Sequence, residues 1–133
     1  MSQENLANLR RGYEAFTRGD RSAVTDLVTP DVEWGATDFP GIEDVYRGSD
    51  AMQQWIDTIR SAWEEFEVTL EEILHDGGDV VVVAERVRGR GRGSGAEVEM
   101  RVFSMYSFKE GKVRKRSAFT ERKAALEAAG LSE

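Results

Sequence analysis

Leu6, Leu9, Tyr13 and Phe16 recur at helical spacing, and Arg18-Gly19-Asp20 closes the helix that they predict over 3–18. Asp20 is placed to cap a second, shorter helix over 20–28, whose apolar face is Ala23, Val24, Leu27 and Val28 and which Thr29-Pro30 stops. Val32 and Trp34 alternate with Glu33 as a short strand, and the region from Gly35 to Val45 is irregular. Met52, Trp55, Ile56, Ile59 and Trp63 then stripe one side of a third helix, over 49–63. Period-two alternation takes over from Phe66 and predicts a main sheet across 66–120, broken at His75-Asp76-Gly77-Gly78 and at Lys109-Glu110-Gly111-Lys112. A helix over 121–129 ends at Gly130. Helices followed by long antiparallel strands make an α+β fold; a sheet curled around the N-terminal helices would be a cone-shaped barrel with one open mouth.

The stretch VVVVAERVRGRGRGSG, residues 80–95, sets a strand against a run of arginines and glycines. An RNA-binding tail would need length and little hydrophobic context. Here the alternation Val81, Val83, Glu85, Val87 and Gly89 carries straight through the first arginines, which puts Arg86 and Arg88 on the opposite, wetter face. Gly91, Gly93 and Gly95 suit a hairpin end, and Glu97 and Glu99 on the returning strand can pair with the arginines. The stretch is therefore expected to be a hairpin.

Composition narrows the function classes. The chain has 133 residues, enough for one domain with a real core, and residues 1–133 are expected to form a single domain. It has no cysteine and one histidine, His75, which argues against thiol chemistry and the usual zinc sites, so no metal and no cofactor are expected. Acidic residues outnumber basic ones 25 to 18, for a net charge of −7, which disfavours nucleic acid as a partner. The longest wholly apolar run, Val80–Ala84, is far short of a membrane span, and the N-terminus lacks a signal-peptide core. A cytoplasmic protein is expected.

Three stretches, YEAFTRGDRSAVTDLVTPDVEW, YRGSDAMQQWI and RVFSMYSFKEGKVRKRSAFTERKAALEAAG, together resemble a SnoaL-like domain of the nuclear transport factor 2-like superfamily. Ketosteroid isomerases, scytalone dehydratases and limonene epoxide hydrolases belong to that superfamily. The resemblance covers nearly the whole chain. It implies a ligand held inside the fold and a homodimer formed through the outer sheet face. Carried over by position, the oxyanion-hole residues of the steroid isomerases fall on Gly12, one place from a Tyr13 turned elsewhere, and on Ser104. Their base falls near Ala36, two residues before Asp38. Steroid isomerisation by that machinery is thus not expected.

Strand parity then nominates the residues of an enclosed site. With Ser104 inward, so are Met100, Val102 and Tyr106, while Arg101, Phe103 and Met105 face out as a dimer face. The resemblance turns Arg116 and Ala118 inward on the last strand; by periodicity alone, Lys115, Ser117 and Phe119 make an equally good inner face. Trp34, Trp55, Ile59, Trp63, Val83 and Val87 complete the expected pocket lining. Glu85 stands among valines on the inner face, where a lone carboxylate costs several kcal/mol, roughly, unless paired or protonated. Two roles are open to it: an internal ion pair, with Arg116 as a partner, that serves packing, or a general acid/base or ligand anchor at the cavity wall. The leading expectation is a pocket protein for a small apolar or aromatic molecule. The alternative is a cofactor-independent isomerase, cyclase, dehydratase or epoxide hydrolase using Glu85 with Tyr106, Asp38 or Arg116. A third reading is a structural domain whose own side chains fill the cavity.

Overall fold

A computed structural model of the chain describes residues 2–36 and 45–131. Helix α1 (Ser2–Arg18) turns at Gly19, which has φ +73°, into α2 (Arg21–Asp26). Asp20 caps α2 as expected, its side chain accepting from the Ala23 amide at 3.1 Å. Strands β1 (Val28–Ala36) and β2 (Tyr46–Arg47), helix α3 (Ala51–Ala62), strands β3 (Trp63–Asp76), β4 (Val80–Gly91), β5 (Glu97–Lys109) and β6 (Lys112–Phe119), and helix α4 (Arg122–Ala128) follow.

The six strands form one sheet in the order β2-β1-β6-β5-β4-β3. Neighbours run antiparallel except β1 and β6, which run parallel, so the sheet is mixed. This corrects the cone-shaped barrel expected from the sequence. The sheet is open and not strongly curved: the two-residue β2 ends it on one side, β3 ends it on the other, and these edges do not pair. Pro30 lies inside β1 rather than ending a helix; the β1–β6 ladder is irregular between Val28 and Glu33, where its missing N–H is tolerated. Trp63 is likewise corrected. It is the first residue of β3, in extended conformation (φ −124°, ψ 129°), because the chain passes from α3 into the strand without a loop.

Both faces of the sheet are covered. Val81 and Val83 pack with Tyr106, Phe108 and Leu9 under α1. On the other face, Val82, Ala84, Phe103 and Met105 pack against Ala125 and Leu126 of α4. Burial on two sides explains why β4 opens as a continuous apolar run rather than an alternating one. Beyond the reach of α4 that second face turns charged. Arg86 pairs with Glu71 and Glu99, Arg88 with Glu99, and Arg90 with Glu97. The arginine-glycine stretch is therefore a hairpin strand, with its glycine-rich end between Arg90 and the partnered Glu97. The β5–β6 turn has only Glu110 and Gly111 between the paired Lys109 and Lys112, both at positive φ (52° and 81°), the geometry of the tightest hairpins. Removing the apolar contact of α4 by Leu126→Ala is expected to cost about 2–5 kcal/mol in urea unfolding, the range for truncating a buried leucine. A loss under about half a kcal/mol would mean that α4 is not held by that face.

Candidate active site

The same alternation that buries Val81, Val83 and Val87 brings Glu85 to the helix-facing side, between Leu70 of β3 and Val102 of β5. Glu85 is 1% exposed. An acid buried that deeply needs donors, and three hydroxyls converge on it. Ser104 on β5 donates to Oε1 at 2.6 Å, Tyr13 on α1 donates to Oε2, and Tyr106 on β5 reaches Oε2 at 3.3 Å. The two phenolic oxygens lie 3.1 Å apart, so the cluster is continuous. Arg116 on β6 adds a guanidinium, its Nη2 3.9 Å from Oε1. Register explains the convergence: Tyr106 pairs directly with Arg116, and Ser104 sits two residues along the same face of β5.

Arg116 is 7% exposed and is held by aromatic faces. Its guanidinium carbon lies 5.0 Å from the centre of the Trp34 ring and 5.4 Å from that of Trp55. Nη1 donates to the Gly35 carbonyl at 3.3 Å, and the buried Nε has no hydrogen-bond partner. The aromatic contacts run on through Tyr46 against Trp55, Trp55 against Trp34, Trp34 against Tyr106 and Tyr106 against Tyr13, with ring centres 6.0–6.5 Å apart.

These groups form part of the wall of a cavity of about 520 Å³. Trp34, Trp55, Ile59, Trp63, Val87, Met100 and Val102 line it, together with Glu85, Tyr106 and Arg116. Val83, Ser104 and Ala118 are fully buried behind that lining. Trp63 fits because Gly89 faces it: a β-carbon there would come within 2.8 Å of the indole. Asp38 lies outside the described residues. Phe103 and Met105 are covered by α4, which leaves Arg101 as the exposed member of the expected dimer face, paired with Glu71 at 3.3 Å. Among the described residues, no three histidine, cysteine or acidic side chains gather as metal ligands, and no helix is long and apolar enough to cross a membrane.

Sequence reasoning missed Tyr13, which was expected to turn elsewhere. Its helical spacing with Leu9 and Phe16 puts it on the buried face of α1, where a phenol needs a polar partner. Glu85 is the acidic side chain found there. That pair of facts was available from the sequence.

A family model described as SnoaL-like domain matches residues 9–116. The chain belongs to the SnoaL-like family. Uncharacterized protein Rv0034 of Mycobacterium tuberculosis is 33% identical over 85 residues, 63% of this chain and 65% of that protein, so the match spans less than two thirds of the curated relative's length. The SnoaL-like domain superimposes on an NTF2-like protein of unknown function from Burkholderia pseudomallei with a TM-score of 0.79, at 22% identity over 97% of each chain. TerC, co-crystallized with polyporic acid, gives a TM-score of 0.78 at 17% identity, over 93% of this chain and 96% of its own. The SnoaL-like resemblance read from the sequence is thus correct, and the fold is shared with an NTF2-like protein.

Burial, and then the Glu85 charge, push the Tyr13 hydroxyl well above the ordinary tyrosine range. The same causes raise Tyr106, with Arg116 opposing them. Both stay protonated donors at neutral pH. Folded Tyr13 keeps its proton where the unfolded chain releases it, so its contribution to stability is complete below about pH 10 and is lost as pH rises further. Urea unfolding between about pH 9 and pH 11 should therefore lose stability more steeply in the wild type than in Tyr13→Phe. Equal slopes would contradict the burial of this hydroxyl.

Proposed function

We propose that this SnoaL-like domain is an enzyme that moves a proton on a small, largely apolar or aromatic molecule. The carrying observation is the composition of the wall: among the described lining residues Glu85 is the sole carboxylate and Arg116 the sole cation, and they meet at 3.9 Å. Among the described residues, the side-chain carboxylate placed to take a proton from a ligand in that space is Glu85. Tyr13 and Tyr106, held protonated, serve as neutral donors beside it.

The chemistry suits an enolisable carbonyl compound. Glu85 takes the proton from the carbon next to the carbonyl, and the C–H electron pair becomes the new C=C bond. The carbonyl π pair moves onto oxygen, where Arg116 and a tyrosine hydroxyl meet the charge. Returning the proton to the same carbon gives exchange, and to a conjugated carbon an isomerisation; the same enolate is the nucleophile that a cyclase needs. The apolar walls support a ligand with an aromatic body, and TerC with polyporic acid supports an organic ligand in this fold. A homodimer through the part of the outer sheet face that α4 leaves open, around Arg101, belongs to the same proposal; only monomers in native mass spectrometry at working concentration would remove it.

The test is hydrogen–deuterium exchange into β-tetralone, an enolisable aromatic ketone, followed by NMR in deuterated buffer. Wild-type protein should accelerate exchange over buffer, and Glu85→Gln should lose about 10²–10⁴-fold of that acceleration. Exchange by Glu85→Gln at the wild-type rate would refute Glu85 as the base. A fluorescence change of the lining tryptophans without any exchange would leave a binding protein in place of an enzyme.

A further inference from the structure

A second cavity, of about 380 Å³, adjoins the first. Phe16, Val24, Ile59, Trp63 and Phe66 belong to the walls of both. The rings among them pack together, Phe16 on Phe66 at 6.1 Å and Trp63 on Phe66 at 5.9 Å. The two spaces differ in chemistry. Where the first is apolar around one buried ion pair, the second carries three arginines from three elements: Arg18 at the end of α1, Arg60 near the end of α3, and Arg92 in the β4–β5 turn.

The three arginines are not equally engaged: Arg18 has Asp20 at 3.7 Å. Along the neighbouring hairpin, Arg86, Arg88 and Arg90 each have a carboxylate partner. Among the described residues, Arg60 and Arg92 have none, in a chain where acids exceed bases by 25 to 18. Arg92 is nevertheless fixed: Nε donates to the Arg60 carbonyl at 3.1 Å and Nη2 to the Trp63 carbonyl at 3.3 Å, and Nη1 is left over. The Arg60 head lies over Gly19, whose absent β-carbon would sit 2.9 Å from Nη2. Asp20 and Glu64 also line the space, but Asp20 is engaged with the Ala23 amide and, at 3.7 Å, with Arg18. A cation in the last turn of α1 or α3 would by itself answer only to the helix dipole. Arg92 belongs to neither helix, and it brings its charge to the same cavity.

We infer that the second cavity is a subsite for the carboxylate end of an amphipathic ligand whose apolar body occupies the main cavity. One molecule is favoured over two because the spaces adjoin: five side chains belong to the walls of both. A guanidinium cluster selects a planar carboxylate by charge and by paired donors. The occupancy of the main cavity rests on the function proposed above; the carboxylate preference stands on Arg18, Arg60 and Arg92.

The test compares decanoate with decanol, which share the chain and differ in the head. Quenching of the tryptophans reports binding. Decanoate should bind about tenfold more tightly than decanol at low salt, and the ratio should shrink as salt rises. In Arg60→Gln with Arg92→Gln the ratio should fall to near one, with decanol affinity unchanged. Arg60→Gln alone removes an exposed head and should lower the ratio severalfold even if the double variant folds poorly. Equal binding of the two probes by the wild type, a preference that survives in the variants, or no binding of either probe would each overturn the subsite. The two proposals fail separately. Loss of exchange in Glu85→Gln without a decanoate preference overturns only the subsite, and a preference in a protein that catalyses no exchange overturns only the acid–base reading.

Discussion

A carboxylate removed from water is the constraint around which this fold is arranged. Left alone in an apolar interior, Glu85 would cost several kcal/mol, roughly, and would favour any conformation that released it. Tyr13, Ser104 and Tyr106 bring hydroxyls to it from a helix and a strand, and Arg116 brings a charge from a second strand. Each of those side chains is useful only if α1, β4, β5 and β6 stand in one relative position. The node therefore couples elements more than seventy residues apart in sequence.

Function follows from the same arrangement. Glu85 is satisfied within the protein, yet it also lies at the wall of a cavity, next to a guanidinium whose Nε is unpartnered and whose faces are covered by tryptophan. Such a site has a proton acceptor, fixed neutral donors and a positive charge within a few ångströms, in surroundings poor in other polar groups. Low local polarity strengthens each of those interactions relative to water.

Much of this was legible in the chain, and the illegible parts have identifiable causes. Period-two alternation through Val81, Val83, Glu85 and Val87 fixed the direction of Glu85, because a one-residue slip would have sent four valine and glutamate side chains to the charged face. Ser104 and Tyr106 followed by the same parity. Trp63 was misread because Ile59 and Trp63 are four residues apart, which fits a helix as well as a helix joined directly to a strand. The parallel pairing of β1 with β6 links segments some eighty residues apart, and no local pattern encodes it. The closed barrel came from the order of the elements, on the premise that antiparallel strands curl around the helices; a two-residue β2 cannot close a sheet against β3. Tyr13 was lost to a one-place offset in a positional correspondence, although its own apolar neighbours on α1 pointed inward.

The most direct measurement of the central claim is a double-mutant cycle on folding stability between Tyr13→Phe and Glu85→Leu. If the phenol and the buried carboxylate hold one another, the two changes are strongly non-additive, with a coupling of about 1.5–3 kcal/mol, the range for a hydrogen bond to a charged group. A coupling indistinguishable from zero would mean that Glu85 does not depend on Tyr13, and the account of the site would fail with it.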